Sequence, residues 1–301
     1  MRWLLIAWLI FVPWTPALAA QQFVELGGIK TAVFTSDHPA SGKLPIIIFS
    51  HGFRGCATEP KFLEQAIADA GYIVFAPNHK DATCDGGAAA VASADPAFED
   101  FKKWNDGMFR YRADDVLHLI AALRVDPEYS GRIDWDRVGL AGHSLGGYTM
   151  LGLDGAWPGW KTNIPGLKAI LVVAPYTHPF VYHHTLDALD VPVMYQTGTR
   201  DLIFMPPVRR DGGAYDQTLT PKYYVEFGAA GHVAWTGLVN EARADIVDYS
   251  LVFLNHYVKG EPATPALTQS RPGVTLFLYD MQTSEKMPAW RRWLRALAGR
   301  L

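Results

Sequence analysis

Ser144 stands between two glycines in Gly142-His143-Ser144-Leu145-Gly146, after the apolar run Val138-Gly139-Leu140-Ala141 and before an apolar stretch over 148–153. A serine at a sharp turn from strand to helix is the arrangement of a nucleophile elbow, which lifts the hydroxyl clear of a sheet. Side chains at 142 or 146 would collide with the neighbouring strand or helix, which is why the turn needs glycine there. Without its flanks, GxSxG is only a Gly-rich turn with a capping serine. The strand before it and the helical residues after it favour the nucleophile.

A serine hydroxyl has too high a pKa to attack unaided, so it needs a base within hydrogen-bond reach and an acid that fixes the base's tautomer. Both should lie downstream. An expected strand over 191–197 ends in Gly198-Thr199-Arg200-Asp201, and the next, over 223–227, ends in Gly228-Ala229-Ala230-Gly231-His232. Asp201 and His232 therefore fall in loops at one sheet edge, in the order Ser144, Asp201, His232. Asp187 and Asp190 precede their strand and fall at the opposite edge, and Asp154 follows the nucleophile helix too closely. His143, inside the elbow, reads as structural. His178, His183 and His184 lack a nearby carboxylate or cysteine to complete a metal site. The constellation needs no metal and no cofactor.

A tetrahedral oxyanion requires preorganised donors. The amide of Leu145, at a helix start, and that of Phe53, in Ser50-His51-Gly52-Phe53-Arg54-Gly55 after a strand, are the expected pair. Tyr176 and Trp235 are expected to contact substrate.

The elements that must hold these residues are also readable. Continuous apolar runs at Leu44–Ser50, 72–76, 138–141, 169–174, 191–197 and 223–227 imply strands covered on both faces. Helices are expected over 59–70, capped by Thr58, over 111–124 and over 242–258. Asp114 and Asp115 read as surface charges of the second helix. This alternation predicts an α/β fold with a mostly parallel central sheet and helices on both faces. The loop 81–110 leaves a strand's carboxyl end, where ligands bind in such sheets, and is placed to shape the site. The segment 154–166, with Trp157 and Trp160, is either a site wall or a packed loop.

With these residues assembled, the chain resembles the α/β-hydrolase superfamily, and within it the dienelactone-hydrolase-like and platelet-activating-factor-acetylhydrolase-like bacterial serine esterases. The likeness covers roughly 42–258 and rests on FSHGFRG at 49–55, APNH at 76–79, GHSLGG at 142–147, GTRD at 198–201 and GHVAWTG at 231–237. It implies a triad of Ser144, Asp201 and His232, with oxyanion amides at Phe53 and Leu145. Dienelactone hydrolase uses a cysteine nucleophile, so serine here favours ester over dienelactone cleavage. Polyester-cleaving cutinases share the triad order but carry a different oxyanion loop.

A chain of 301 residues with 49% hydrophobic content suits one catalytic domain, and a net charge of −3 offers no basic surplus for nucleic acid. Residues 1–19 have the charged, apolar and small-residue regions of a secretory signal peptide, which makes 20–301 the catalytic domain and the protein periplasmic or secreted. In an exported chain the only two cysteines, Cys56 and Cys84, are expected to pair. Residues 287–301 space Trp290, Trp293, Leu294 and Leu297 among arginines, as a helix would that either packs on the domain or meets a membrane surface. The expected activity is hydrolysis of a small carboxylic ester through an acyl-enzyme. Amides, lactones, polyesters and phospholipid acetyl esters are the alternatives.

Overall fold

A computed structural model describes residues 21–38, 41–83, 98, 100–160, 163–239 and 241–283. The expected signal peptide, Cys84 and the C-terminal amphipathic stretch lie outside the described residues.

The chain opens with a hairpin, β1 (Gln22–Leu26) and β2 (Ile29–Phe34), and continues through β3 (Leu44–Ser50), α1 (Lys61–Asp69), β4 (Ile73–Pro77) and α2 (Arg110–Val125). Then come β5 (Ile133–His143), α3 (Leu145–Leu151), β6 (Leu167–Val173), α4 (His178–His183) and β7 (Val193–Gly198). Short helices α5 (Met205–Arg209) and α6 (Ala214–Gln217) precede β8 (Lys222–Phe227), α7 (Arg243–Tyr257) and β9 (Val274–Asp280).

One nine-stranded sheet runs in the order β1-β2-β4-β3-β5-β6-β7-β8-β9. From β4 to β8 every neighbouring pair is parallel, and the β1–β2, β2–β4 and β8–β9 pairs are antiparallel. This is the α/β-hydrolase fold, as expected. Successive side chains on each strand enter opposite cores, which explains why the central strands read as unbroken apolar runs. Ile46 and Ile48 join the core under α2 and α3 with Val116, Leu119 and Tyr148. Ile47 and Phe49 join the core under α1 and α7 with Leu63, Ile67, Ile246 and Phe253.

One local expectation changes, one open alternative closes, and α2 carries a buried charge. Helix α1 begins at Lys61 with Pro60 at its N-cap and no side-chain cap, so Thr58 is not the cap. Helix α2 buries Arg112 on its core face. Trp157 and Trp160 pack in the core, where Trp157 Nε1 donates to Tyr148 Oη at 2.7 Å, so that segment is packing and not a site wall.

Candidate active site

Ser144 sits at φ 53° and ψ −116°, between the end of β5 and the start of α3. A non-glycine residue in this region is strained and is held there only because its surroundings over-determine it. Here the Ser144 N–H donates to Val173 O at 3.0 Å, and the Ser144 carbonyl accepts from Tyr176 N–H at 3.0 Å. A Cβ on Gly142 would overlap the Gly146 backbone, and one on Gly146 would overlap the Ser50 carbonyl. The glycines on both sides of Ser144 are thus required by close approach.

The carboxyl ends of β7 and β8 bring Asp201 and His232 to the serine. His232 Nδ1 donates to Asp201 Oδ2 at 2.8 Å, and Ser144 Oγ donates to His232 Nε2 at 3.0 Å. Asp201 Oδ1 also accepts the Phe204 N–H at 3.1 Å, and the Phe204 ring stacks on the His232 imidazole with centroids 4.0 Å apart. Both oxygens of Asp201 are thereby oriented. Burial lowers the His232 pKa below its ordinary value, the Asp201 hydrogen bond opposes this, and His143 adds to the lowering. A neutral imidazole between an oriented carboxylate and a hydroxyl is equipped to take the hydroxyl's proton.

The loop after β3 lies opposite, on a buried polar scaffold. Arg112 is completely buried and forms a bidentate pair with Asp81, from Nε to Oδ1 at 3.1 Å and from Nη2 to Oδ2 at 2.5 Å. It also donates to the carbonyls of His51 at 2.7 Å and Gly52 at 3.0 Å. Asp81 further accepts from Arg54 N–H and Tyr111 Oη–H. Although burial opposes it, the Arg112 guanidinium holds the Asp81 carboxyl well below the usual carboxylate range. His51 donates from Nδ1 to Gly52 O at 2.7 Å, accepts His79 N–H on Nε2, and is kept neutral mainly by burial. His79 contacts Ser50 Oγ and Asp115 Oδ2, so Asp115, expected as a surface charge, joins the scaffold.

This scaffold yields a stability prediction. Arg112→Met would leave the Asp81 carboxylate buried without its counter-charge and take one donor from each of the two carbonyls, a change that costs about 3–5 kcal/mol. Chemical denaturation of the variant should show a loss of that size.

The Gly52 N–H is taken by Glu59 Oε2 at 2.9 Å, that of Arg54 by Asp81 Oδ2 and that of Gly55 by Gly52 O, so these three amides of the loop are engaged within it and its scaffold. Leu145 heads α3, where an amide has no intrahelical acceptor. Phe53 lines a cleft of about 660 Å³ that also contains Ser144 and His232. Its other walls include Phe98, Phe101, Tyr176, His178, Ile203, Phe204 and Val233. Phe98 and Phe101 belong to the loop expected to shape the site. Tyr176, expected to contact substrate, is among the lining residues.

Trp235 is not. It is fully buried, donates from Nε1 to Gln196 Oε1 at 3.1 Å and packs beneath the sheet against Phe227. The turn His232–Trp235 sends Ala234 and Trp235 inward and leaves Val233 at the cleft. The expected Cys56–Cys84 bridge is also corrected. Cys56 is a free thiol whose Sγ lies 3.5 Å from Thr58 Oγ1, even though Thr83 N–H donates to Gly55 O beside it. Asp154 accepts the amides of Asp190 and Val191 and is not among the residues that line the cleft.

Phe204, Glu59 and Val233 escaped the sequence reading. Phe204 had a usable signal, an aromatic three residues after the acid on a loop at the carboxyl edge. Among the described residues no group of three or more His, Cys, Asp or Glu side chains could hold a metal ion.

The sheet, the elbow and the Ser144–His232–Asp201 relay define an α/β-hydrolase architecture with a hydrolase-type site. Residues 22–104 match the family model described as platelet-activating factor acetylhydrolase, isoform II, so the chain is similar over that span to that family, whose activity is hydrolytic. The matched span holds β1 to β4, the Phe53 loop and Glu59, and Ser144, Asp201 and His232 lie beyond it. No curated protein matches the chain.

Proposed function

We propose that this protein is a serine hydrolase that cleaves carboxylic esters through an acyl-enzyme on Ser144. The reading is carried by the hydrogen-bonded series Ser144 Oγ, His232 Nε2, His232 Nδ1 and Asp201 Oδ2 at 3.0 and 2.8 Å. Ser144 Oγ attacks the ester carbonyl carbon while its proton passes to His232 Nε2. The Phe53 and Leu145 amides receive the oxyanion, and the imidazolium returns the proton to the departing alcohol oxygen. Water, deprotonated by His232, then attacks the acyl carbonyl, and the released acid restores Ser144.

The aromatic and aliphatic cleft walls favour an apolar acyl group. A panel of para-nitrophenyl esters of increasing acyl length, with Ser144→Ala as control, tests the reaction class. No hydrolysis by wild type, or undiminished hydrolysis by the variant, would remove the reading.

A second reading has its own support. Leu202 is 75% exposed and Ile203, at the cleft, is 66% exposed. Such a lip suits an amphiphilic ester presented at a lipid surface, such as the phospholipid acetyl ester among the alternatives above. The expected export signal over 1–19 fits an extracytoplasmic substrate of either kind.

Activity should have an acidic limit with a defined sign. The base works only as neutral imidazole, and its pKa lies below the ordinary histidine value of about 6.5. The acid limb of kcat/KM should therefore have its midpoint below about pH 6.5, with full activity above it and loss as pH falls through it. A pH–rate profile checks this.

A further inference from the structure

Glu59 and His143 both line the cleft beside Ser144 and His232, and the mechanism above uses neither. Glu59 Oε2 accepts the Gly52 N–H at 2.9 Å, and Oε1 lies 3.3 Å from His143 Nδ1, which has no hydrogen-bond partner of its own. His143 Nε2 donates to the main-chain carbonyl of His232 at 3.0 Å, and the two imidazole centroids are 4.9 Å apart. The same segments meet again where Gly237 N–H, beyond His232, donates to Glu59 O at 3.0 Å.

The glycines of the loop after β3 are shaped around this pair. A Cβ on Gly52 would lie 3.1 Å from His143 Nδ1 and 3.4 Å from the Glu59 carboxylate, and one on Gly55 would overlap that carboxylate. The spacing Gly52-x-x-Gly55 followed by Glu59 is thus a loop wound on a carboxylate, not merely a flexible turn.

We propose that Glu59 and His143 form a second carboxylate–imidazole pair, whose task is to position the Gly52–Phe53 loop against the His232 loop and to cancel its own charge beside the oxyanion. The proposal rests on the Ser144 reading. Glu59 fixes the amide next to the Phe53 donor, and His143 fixes the carbonyl of the base. A carboxylate at Gly52 without a counter-charge would oppose the negative charge that develops on the substrate oxygen nearby, and a cationic His143 removes that opposition.

Burial disfavours both charges, yet each stabilises the other: Glu59 is held at about 2 by His143, and His143 is raised above its ordinary value by Glu59. The other titratable groups facing the pair are His51 and Glu64 toward Glu59, and His232 and Asp201 toward His143. Both are positioning residues, since neither has a place in the proton transfers.

The test separates kcat from KM on one para-nitrophenyl ester. Glu59→Ala should lower kcat about tenfold or more, less than the 10²–10³ typical of losing an oxyanion donor outright, with KM within about twofold. Glu59→Gln, whose side-chain oxygen can still accept the Gly52 N–H, should recover most of that loss at neutral pH. His143→Gln removes the cation that faces His232 and leaves Glu59, so it should move the acid limb of kcat/KM to higher pH. A purely structural role would not move that limb.

Wild-type kcat in Glu59→Ala, or an unshifted limb in His143→Gln, overturns the pair. If Glu59→Ala does not fold, a wild-type pH profile in His143→Gln still overturns it. Ser144→Ala run alongside keeps the two questions apart. Persistent activity in that variant defeats the nucleophile reading, whereas a flat Glu59 and His143 series in an enzyme that Ser144→Ala silences defeats the pair alone.

Discussion

Ser144→Ala and His232→Ala should each abolish ester hydrolysis almost completely, by on the order of 10⁶ in kcat, while leaving the protein folded. The two side chains share one hydrogen bond of 3.0 Å, and neither can act without the other. Residues that act as a unit lose about as much singly as together, so the double variant should be no worse than either single one. Folding should survive because the strain at Ser144 is carried by backbone contacts to Val173 and Tyr176, which alanine keeps. A fluorophosphonate probe should label wild type at Ser144 and fail on Ser144→Ala. Folded wild-type protein that resists the probe would sink the assignment.

The parts of the site that could be read in the sequence are those whose geometry follows from strand ends. A parallel sheet puts the carboxyl end of every central strand on one edge, so an elbow after β5, an aspartate after β7 and a histidine after β8 had to converge. Loop glycines then allowed the approach. Side chains whose direction depends on tertiary packing were not readable in this way. Trp235, three residues beyond His232, looked like a substrate contact, but a short turn drives it into the core under β8. Arg112 drew no expectation from the sequence, yet it is the cation beneath the Phe53 loop. Its partner Asp81 is 31 positions away, so no local pattern announces the pair.

Edge elements were missed for a different reason. The hairpin β1–β2 turns on Gly27 and Gly28, at φ 61° and 76°, which is the two-residue turn that a glycine pair favours. The signal was present in Gln22–Leu26 and Ile29–Phe34, but at the sheet margin the apolar runs shorten to Phe23-Val24 and Ala32-Val33-Phe34. Strand β9 is half-exposed for the same reason. Reading only continuous apolar runs selects central strands and overlooks antiparallel edges.

The acid supplies the second large effect. Asp201→Asn should keep the fold and lower kcat by about 10⁴. Asp201 Oδ1 accepts the Phe204 N–H at 3.1 Å, and that amide demands an oxygen. In the variant the side-chain oxygen therefore stays on Phe204 and the NH₂ group turns toward His232 Nδ1. An NH₂ donor there forces Nδ1 to become the acceptor and moves the ring proton to Nε2, where it faces Ser144 Oγ. The imidazole keeps its position but can no longer take the serine proton, so the loss falls on kcat more than on KM. Asp154→Asn is the matched control. Asp154 Oδ2 accepts the Asp190 and Val191 amides beside β7's start, at the opposite end of that strand from Asp201. That change should reduce stability and leave kcat within about twofold, because it touches no group of the relay. Kinetics on both variants decide between the carboxylates: a larger kcat loss in Asp154→Asn than in Asp201→Asn would show that the strand-end placement of Asp201 does not make it the acid.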